Sequence, residues 1–451
     1  MQESIKLVHH EKKGALINAS PFTVKHAQTA RSFHSTFPGY APTPLAELDT
    51  LAETLGIAGM YVKDESYRFG LNAFKGLGGS YSLGRYIAKK LGKEMSEPTV
   101  AAAPGKEMSE PVSSDSAGGK PQTISFPDII SEETQAISFS DITSEEPQAF
   151  SFSDITSEET RRKLGEITFV TATDGNHGRG VAWTAHMLGQ KAVVYMPKGS
   201  VQERLENIRR LGAEAEITDM NYDDTVAFAA RQAEEKGWIL IQDTAWEGYE
   251  EIPTWIMQGY MTLGLEAVEQ LGGRKPTHIF LQAGVGAMSG ALAAFFTDYY
   301  GADKPVITIV EPNKADCIYQ TALADDGRVH TVTGDLATIM AGLACGVPCT
   351  IGWNELNRCA ENFASVPDWV AAKGMRILGN PAGTDRRVIS GESGAVTTGF
   401  VCEVMQNESL AELRQTIGLD RNSVVLCIST EGDTDRENYR RIVWDGKYPS
   451  C

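Results

Sequence analysis

No run in this chain approaches the roughly 18 consecutive apolar residues that a membrane-spanning helix needs, so no span and no membrane partner are expected. The N-terminus, Met1-Gln2-Glu3-Ser4-Ile5-Lys6, has no basic stretch followed by an apolar one, which argues against a secretory signal. Basic charge is in deficit, with 41 Lys and Arg against 59 Asp and Glu and a formal net charge of −18. A nucleic-acid partner needs a basic face and is therefore not expected. Cysteine is sparse: seven residues, irregularly placed and without a CxxC pair. Cys345-Gly346-Val347-Pro348-Cys349 has no second ligand pair nearby, so neither a disulfide scaffold nor a metal site is expected, and free thiols in a reducing cytoplasm are. Apolar content is not lacking. At 42% hydrophobic residues over 451 positions the chain can build a sizeable core, and its length predicts two or three domains at about 150 residues each.

Part of the acidity belongs to a repeat. Residues 124–136 read ISFPDIISEETQA, 137–149 read ISFSDITSEEPQA and 150–162 read FSFSDITSEETRR, a period of 13. The same offset relates GKEMSEP at 92–98 to GKEMSEP at 105–111. So short a period, with near-identical copies, reads as tandem duplication rather than a solenoid. Between Lys93 and Glu159 there are 14 acidic residues against 3 lysines, a net −11, which leaves about −7 for the rest. The Ile-Ser-Phe-Ser alternation would suit a half-buried strand. Abundant Ser, Glu and Pro with like-charge repulsion favour disorder over residues 93–163, and excision of about 93–160 is expected to spare function.

Beyond the insert, apolar runs and helical stretches alternate. Strands are expected at Ile167–Ala172, Lys191–Met196, Ala215–Thr218, Trp238–Ile241, His278–Leu281, Val306–Val310 and Val424–Ile428, with helices at about 178–188, 200–211 and 222–236. This order implies βαβ units, two open and mainly parallel α/β sheets, and chemistry at the carboxyl ends of the strands.

Four motifs fall at such positions. In Leu71-Asn72-Ala73-Phe74-Lys75-Gly76-Leu77-Gly78-Gly79 a lysine precedes glycines that would let a ligand approach the backbone closely, although one such lysine alone usually lies on the surface. Thr173-Asp174-Gly175-Asn176-His177-Gly178 opens a helix, where N–H groups favour anions and Asn176 offers both a donor and an acceptor; His177 alone more often serves structure. Gln282-Ala283-Gly284-Val285-Gly286-Ala287-Met288-Ser289-Gly290 could wrap N–H groups around a phosphate. Its GxGxxxG spacing is one residue too long for a dinucleotide fingerprint, yet Glu311 after the next strand keeps a nucleotide-binding reading open. Ile428-Ser429-Thr430-Glu431-Gly432-Asp433 places hydroxyls at a strand end, where they could meet a ring nitrogen without fixing its charge.

Together these motifs resemble the pyridoxal-phosphate enzymes of fold type II, the tryptophan-synthase β and serine/threonine dehydratase type. Asn72-Ala73-Phe74-Lys75 matches the family's Schiff-base lysine segment, Asp174-Gly175-Asn176-His177 its Ser-Gly-Asn-His, residues 283–288 its phosphate loop and Ser429-Thr430-Glu431-Gly432 its late turn. Asp174 in place of that serine, Gln242-Asp243-Thr244-Ala245-Trp246-Glu247-Gly248-Tyr249 and Ser390-Gly391-Glu392-Ser393-Gly394-Ala395 are similar to the diaminopropionate ammonia-lyase family, over about 1–92 and 163–451.

The resemblance implies a large cofactor-binding domain from 1–78 and 238–451, a small one at 79–237 carrying the insert, a cytoplasmic homodimer and an amino-acid substrate. Lys75 would hold pyridoxal 5'-phosphate, with Phe74, Asn176, Gly284, Val285, Gly286, Ala287, Met288, Ser429 and Thr430 around it. Lys75, Asp174 and Asp243 would be catalytic, and Asp174, Gly175, Asp243, Glu392 and Ser393 would face the substrate. Lys75 would serve the L and Asp174 the D enantiomer of 2,3-diaminopropionate. The competing readings are a serine/threonine dehydratase, and a non-catalytic metabolite- or nucleotide-binding protein. Asp243 could also be only a helix cap, and Trp246 and Tyr249 could be either core or pocket wall.

Overall fold

A computed structural model describes residues 4–11, 20–93, 150–173 and 175–450. Its strands are β1 Lys6–His9, β2 Leu45–Glu47, β3 Gly59–Asp64, β4 Thr168–Ala172, β5 Lys191–Met196, β6 Glu214–Ile217, β7 Ile239–Leu240, β8 His278–Gln282, β9 Val306–Pro312, β10 Asn362–Val366 and β11 Val424–Ser429. They form a seven-stranded sheet ordered β1-β10-β9-β8-β11-β3-β2 and a four-stranded sheet ordered β6-β5-β4-β7. All pairings are parallel except those of the edge strands β1 and β2, which are antiparallel to β10 and β3.

Every strand expected from the sequence is present, and β1, β2, β3 and β10 are additional. β3 is a central strand whose Lys63 and Asp64 are buried, so its charges hide it from any reading that equates burial with apolar character. Lys63 Nζ donates to Glu266 Oε2 at 2.7 Å, and Glu266 also accepts from Arg68 at 2.8 Å. Paired in this way, charges can occupy an interior.

Parallel strands bring β3, β8 and β11 to one end of the large sheet, and β4 and β7 to the facing end of the small one. Helix Gly76–Lys90 packs against both Asn176–Met187 and Glu251–Gln270 and joins the two sheets. The seam is glycine-lined. A Cβ on Gly79 would lie 3.0 Å from the Gly180 carbonyl carbon, and one on Gly180 only 2.8 Å from Lys75 O. The glycines after Lys75 thus serve close helix contact, where the sequence suggested ligand approach.

The insert expectation needs a correction at its C-terminal end. Residues 150–164 form two short helices, Phe152–Thr156 and Glu158–Leu164. Ser151 and Asp154 make a capping box, and Ser157 Oγ accepts the Thr160 N–H, so serines that looked disorder-promoting satisfy helix-opening donors. Phe150 and Ile155 are buried, and the Phe152 ring packs 4.7 Å from Phe37. The strand alternative is not realised in this copy. The other copies, at 124–149, lie outside the described residues.

Lys93 Nζ sits 5.7 Å over the Phe150 ring, so the chain leaves and re-enters the fold at one place. Excising 94–149 with a short Gly-Ser joint should therefore leave the melting temperature within about 2 °C, whereas carrying the excision through 164 should lower it by more than about 5 °C through lost Phe150 and Ile155 packing. Thermal melts of the two deletions check this. It also shortens the excision of about 93–160 that the sequence suggested.

Candidate active site

Lys75 reaches the strand ends on a loop stitched to its neighbour. Ala73 bridges Glu431 antiparallel, the Phe74 N–H donates to Thr430 O at 3.0 Å, and the Gly432 N–H donates to Asn72 O at 3.0 Å. Lys75 Nζ donates to Asp243 Oδ2 at 2.9 Å. Asp243, three residues beyond β7, is 4% exposed and holds this ion pair rather than capping a helix. Burial pushes its carboxyl up, but the charges of His177 and Lys75 outweigh that and hold it at about 2. His177 Nδ1 is 3.8 Å from the same oxygen, and its Nε2 contacts Ile241 O at 2.8 Å. Gln242 fixes the other side of the pair. Its Oε1 accepts from Thr171 Oγ1 and the Ala172 N–H, and its Nε2 donates to Tyr222 Oη at 3.2 Å and Asp243 Oδ1 at 3.4 Å.

One cavity gathers Phe74, Lys75, Asn176, Asp243, residues 282–289, Ser393, Thr430 and Glu431. Ala287 and Met288 open helix Ala287–Tyr300, so their N–H groups have no intrahelical acceptor and carry the dipole's positive end. Gly286 has φ +89, and a Cβ on Gly284 would press on Gly342 O at 3.2 Å. Only glycine lets this turn lie so close to the 342–345 loop. A phosphate monoester fits here without a basic side chain, since backbone donors and the dipole supply the attraction. Gln282 Nε2 donates to Ser393 O, Ile428 O and Thr430 Oγ1 at 2.9, 2.9 and 3.1 Å. Because Thr430 accepts from Gln282, its own proton is left to donate to a ring nitrogen. Pyridoxal phosphate therefore fits: an amine for its aldehyde, a helix start for its phosphate and a hydroxyl for its ring.

Not every expected site residue faces this cavity. The Ser429 hydroxyl donates to Ser390 Oγ at 2.8 Å and is not part of the lining, whereas Ser393 is, with its Oγ accepting the Gly342 N–H at 3.2 Å. Gly175, with φ +146, precedes helix Asn176–Met187 and packs beside Arg204. Asp174 lies outside the described residues. Tyr249 donates to Leu240 O and stacks 4.5 Å from Trp246, so both belong to the wall behind Asp243. Glu311 accepts the Ile318 and Tyr319 N–H groups at 3.0 and 2.6 Å, which turns it into a buried helix cap and removes the support for a ribose ligand. The sequence reading missed Gln242, Gln282, Tyr222, Glu431 and the 342–345 loop. The first two open motifs quoted from the sequence and could have been found as amides at strand ends; the loop carries no local pattern.

Glu392 is 3% exposed and accepts from Asn438 Nδ2 at 2.5 Å. Burial, with the charge of Glu431, pushes its carboxyl up from 4.5 to about 7. The folded chain thus keeps a proton that the unfolded chain releases. Its stabilising contribution is complete below about pH 4.5 and fades as pH rises through about 7, up to about 3 kcal/mol. Glu392→Gln should flatten the fall in melting temperature between about pH 5 and 8; an unchanged slope would contradict this origin.

The family of pyridoxal-phosphate dependent enzymes matches residues 148–428. The chain is 47% identical over 438 residues to the diaminopropionate ammonia-lyase of Salmonella typhimurium, covering 96% of this chain and 95% of the relative. It superposes on the Escherichia coli diaminopropionate ammonia-lyase solved with an aminoacrylate–PLP azomethine reaction intermediate, with a TM-score of 0.79, 44% identity and coverage of 99% and 98%. The same E. coli enzyme in complex with D-serine matches at a TM-score of 0.81, 43% identity and the same coverage. With a lysine, a helix-start phosphate cradle and a strand-end hydroxyl in one cavity, and near-full-length identity to these relatives, the chain belongs to the pyridoxal-phosphate dependent enzymes, in the diaminopropionate ammonia-lyase family.

Proposed function

We propose that the chain eliminates ammonia from both enantiomers of 2,3-diaminopropionate, giving pyruvate and two ammonia. The observation that carries this reading is the Lys75–Asp243 pair at 2.9 Å in a cavity that also offers the phosphate cradle, in a chain 47% identical to diaminopropionate ammonia-lyases. The cofactor is pyridoxal 5'-phosphate, which when bound supplies the electron sink for a carbanion at the substrate's Cα.

The protein's own groups do the rest. Lys75 holds the cofactor and, once its amine is displaced, takes the α-proton of the L enantiomer. Asp243 favours that transfer by pairing with the ammonium that Lys75 becomes, and its low pKa keeps it ionised while it does so. Thr430, oriented by Gln282, would donate to the cofactor's ring nitrogen. Asn176 lines the cavity while donating to Glu431 Oε2 at 2.6 Å, and would orient the ring hydroxyl of the bound cofactor. Asp174, immediately before the Gly175–Asn176 helix start, is assigned the α-proton of the D enantiomer, on the strength of its place in the sequence. The working unit in this reading is a homodimer, which sedimentation measures.

Purified protein should be yellow, with borohydride fixing the cofactor to Lys75, and Lys75→Ala should be colourless. Asp174→Asn should cut pyruvate release from the D enantiomer by at least about 100-fold while costing the L enantiomer less than about 10-fold. Equal losses would overturn the two-base assignment, and faster release from serine than from diaminopropionate would restore the dehydratase reading.

A further inference from the structure

Glu431 is 2% exposed and lines the cavity that holds Lys75 and Asp243. Its backbone is fixed by the bridge to Ala73 and by the Gly391 N–H donating to its carbonyl at 3.0 Å. Its side chain is fixed at one oxygen only: Oε2 accepts from Asn176 Nδ2 at 2.6 Å and from Thr434 Oγ1 at 3.1 Å. The other, Oε1, is buried and has no hydrogen-bond partner among the described residues. A carboxylate oxygen removed from water with no donor is costly, and such an atom in a ligand cavity marks a place for a ligand's donor.

The cations nearby are already engaged. Lys75, the cationic side chain lining the cavity, is on Asp243. Arg204 Nη2 donates to Thr434 Oγ1 at 3.3 Å, and that hydroxyl in turn donates to Glu431 Oε2. Asn176 spends a hydrogen on Oε2 and cannot swing to Oε1 without losing that bond. Glu392 is a second acid, its carboxyl raised by burial and by the charge of Glu431, and its hydrogen bond runs to Asn438 rather than to Oε1. Among the described residues no donor meets Oε1, so a cationic N–H brought by the molecule that enters the cavity would be its partner.

We infer that Glu431 is a specificity-determining residue whose free Oε1 accepts a hydrogen from the β-ammonium of the substrate. This rests on the reading of 2,3-diaminopropionate as substrate and adds to it the residue that separates that substrate from β-hydroxy amino acids. Asp243 cannot do the same work while it holds Lys75, and a serine hydroxyl in place of the ammonium would leave Oε1 with a weaker, uncharged donor. A site built around a charged partner rejects the analogue lacking it far better than an apolar pocket does. The departure of the β-amine as ammonia then removes the donor, and Oε1 is again unpaired when the product leaves.

The test uses the full-length holoenzyme. In Glu431→Gln, kcat/KM for 2,3-diaminopropionate should fall roughly 100-fold, while the inhibition constant of D-serine, competing in the same assay, should move less than about 3-fold. Cofactor content and the visible absorption band should stay as in the unaltered protein. Glu431→Asp, which keeps the charge but withdraws it by one methylene, should fall between the two. Equal weakening toward diaminopropionate and serine overturns the assignment. So does loss of the cofactor band from Glu431→Gln, because the carboxylate would then be serving Asn176 and the ring. The underlying substrate reading is tested separately by pyruvate release from the unaltered protein, so the failure of one is distinguishable from the failure of the other.

Discussion

The ammonium of Lys75 and the carboxylate of Asp243 meet at 2.9 Å with both side chains largely out of water, and each arrives from a different sheet. Lys75 comes from the loop after β3 of the larger sheet, and Asp243 from the end of β7 in the smaller one. Buried pairs of this kind add little net stability, because two desolvation costs offset the attraction. Their value lies in geometry: either charge alone would be stranded in a dry cavity, so the two sheets are most stable when the pair is closed. The Lys75 amine is thereby given one address, with His177 behind it and Gln242 holding the second carboxylate oxygen.

A second charged network holds the path that leads there. Between β3 and Lys75 the chain turns through Glu65–Gly70, with Phe69 at φ 50 and Asn72 at φ 57. Non-glycine residues in the left-handed region each cost on the order of 1 kcal/mol and persist where their surroundings over-determine them. Arg68 provides that constraint by bonding both Glu65 and Glu266, while Lys63 and Thr43 complete the cluster. Asn72 is held from the other side by its Nδ2 bond to Asp433. The loop is thus strained at two residues, anchored on both flanks, and delivers the lysine without freedom to wander.

Much of this could be read from residues alone because the strands carry it in period and composition. β4, β5, β8, β9 and β11 are apolar runs ended by turn residues, and the motifs after β4, β8 and β11 meet in one cavity. What escaped notice follows a pattern too. β3 and helix Glu251–Gln270 bury charges against one another, and no single-chain pattern announces that Lys63 and Glu266 are partners 203 residues apart. The last repeat copy looked as disordered as its predecessors. Its departure at Arg161-Arg162, which puts cations into the last turn of a helix begun by Glu158 and Glu159, was the local sign that folded chain had resumed. Glu431 was passed over because its motif was read for hydroxyls.

The glycines around Lys75 show why a correct motif can carry an incorrect reason. Glycine beside a reactive lysine suggests a backbone kept bare for a ligand, but here bareness serves another helix. Gly79 and Gly180 face each other across the seam, and a Cβ on Gly259 would meet Leu77 O at 2.6 Å, nearer than real Cβ atoms come to backbone. Two helices, Gly76–Lys90 and Asn176–Met187, therefore start at almost the same level beside the cavity, one just after Lys75 and the other with Asn176. Any side chain larger than hydrogen in that seam would separate the amine from the amide and the Asp243 carboxylate together. The spacing of the amine, the amide and the carboxylate is thus set by helix contact several residues from the cavity.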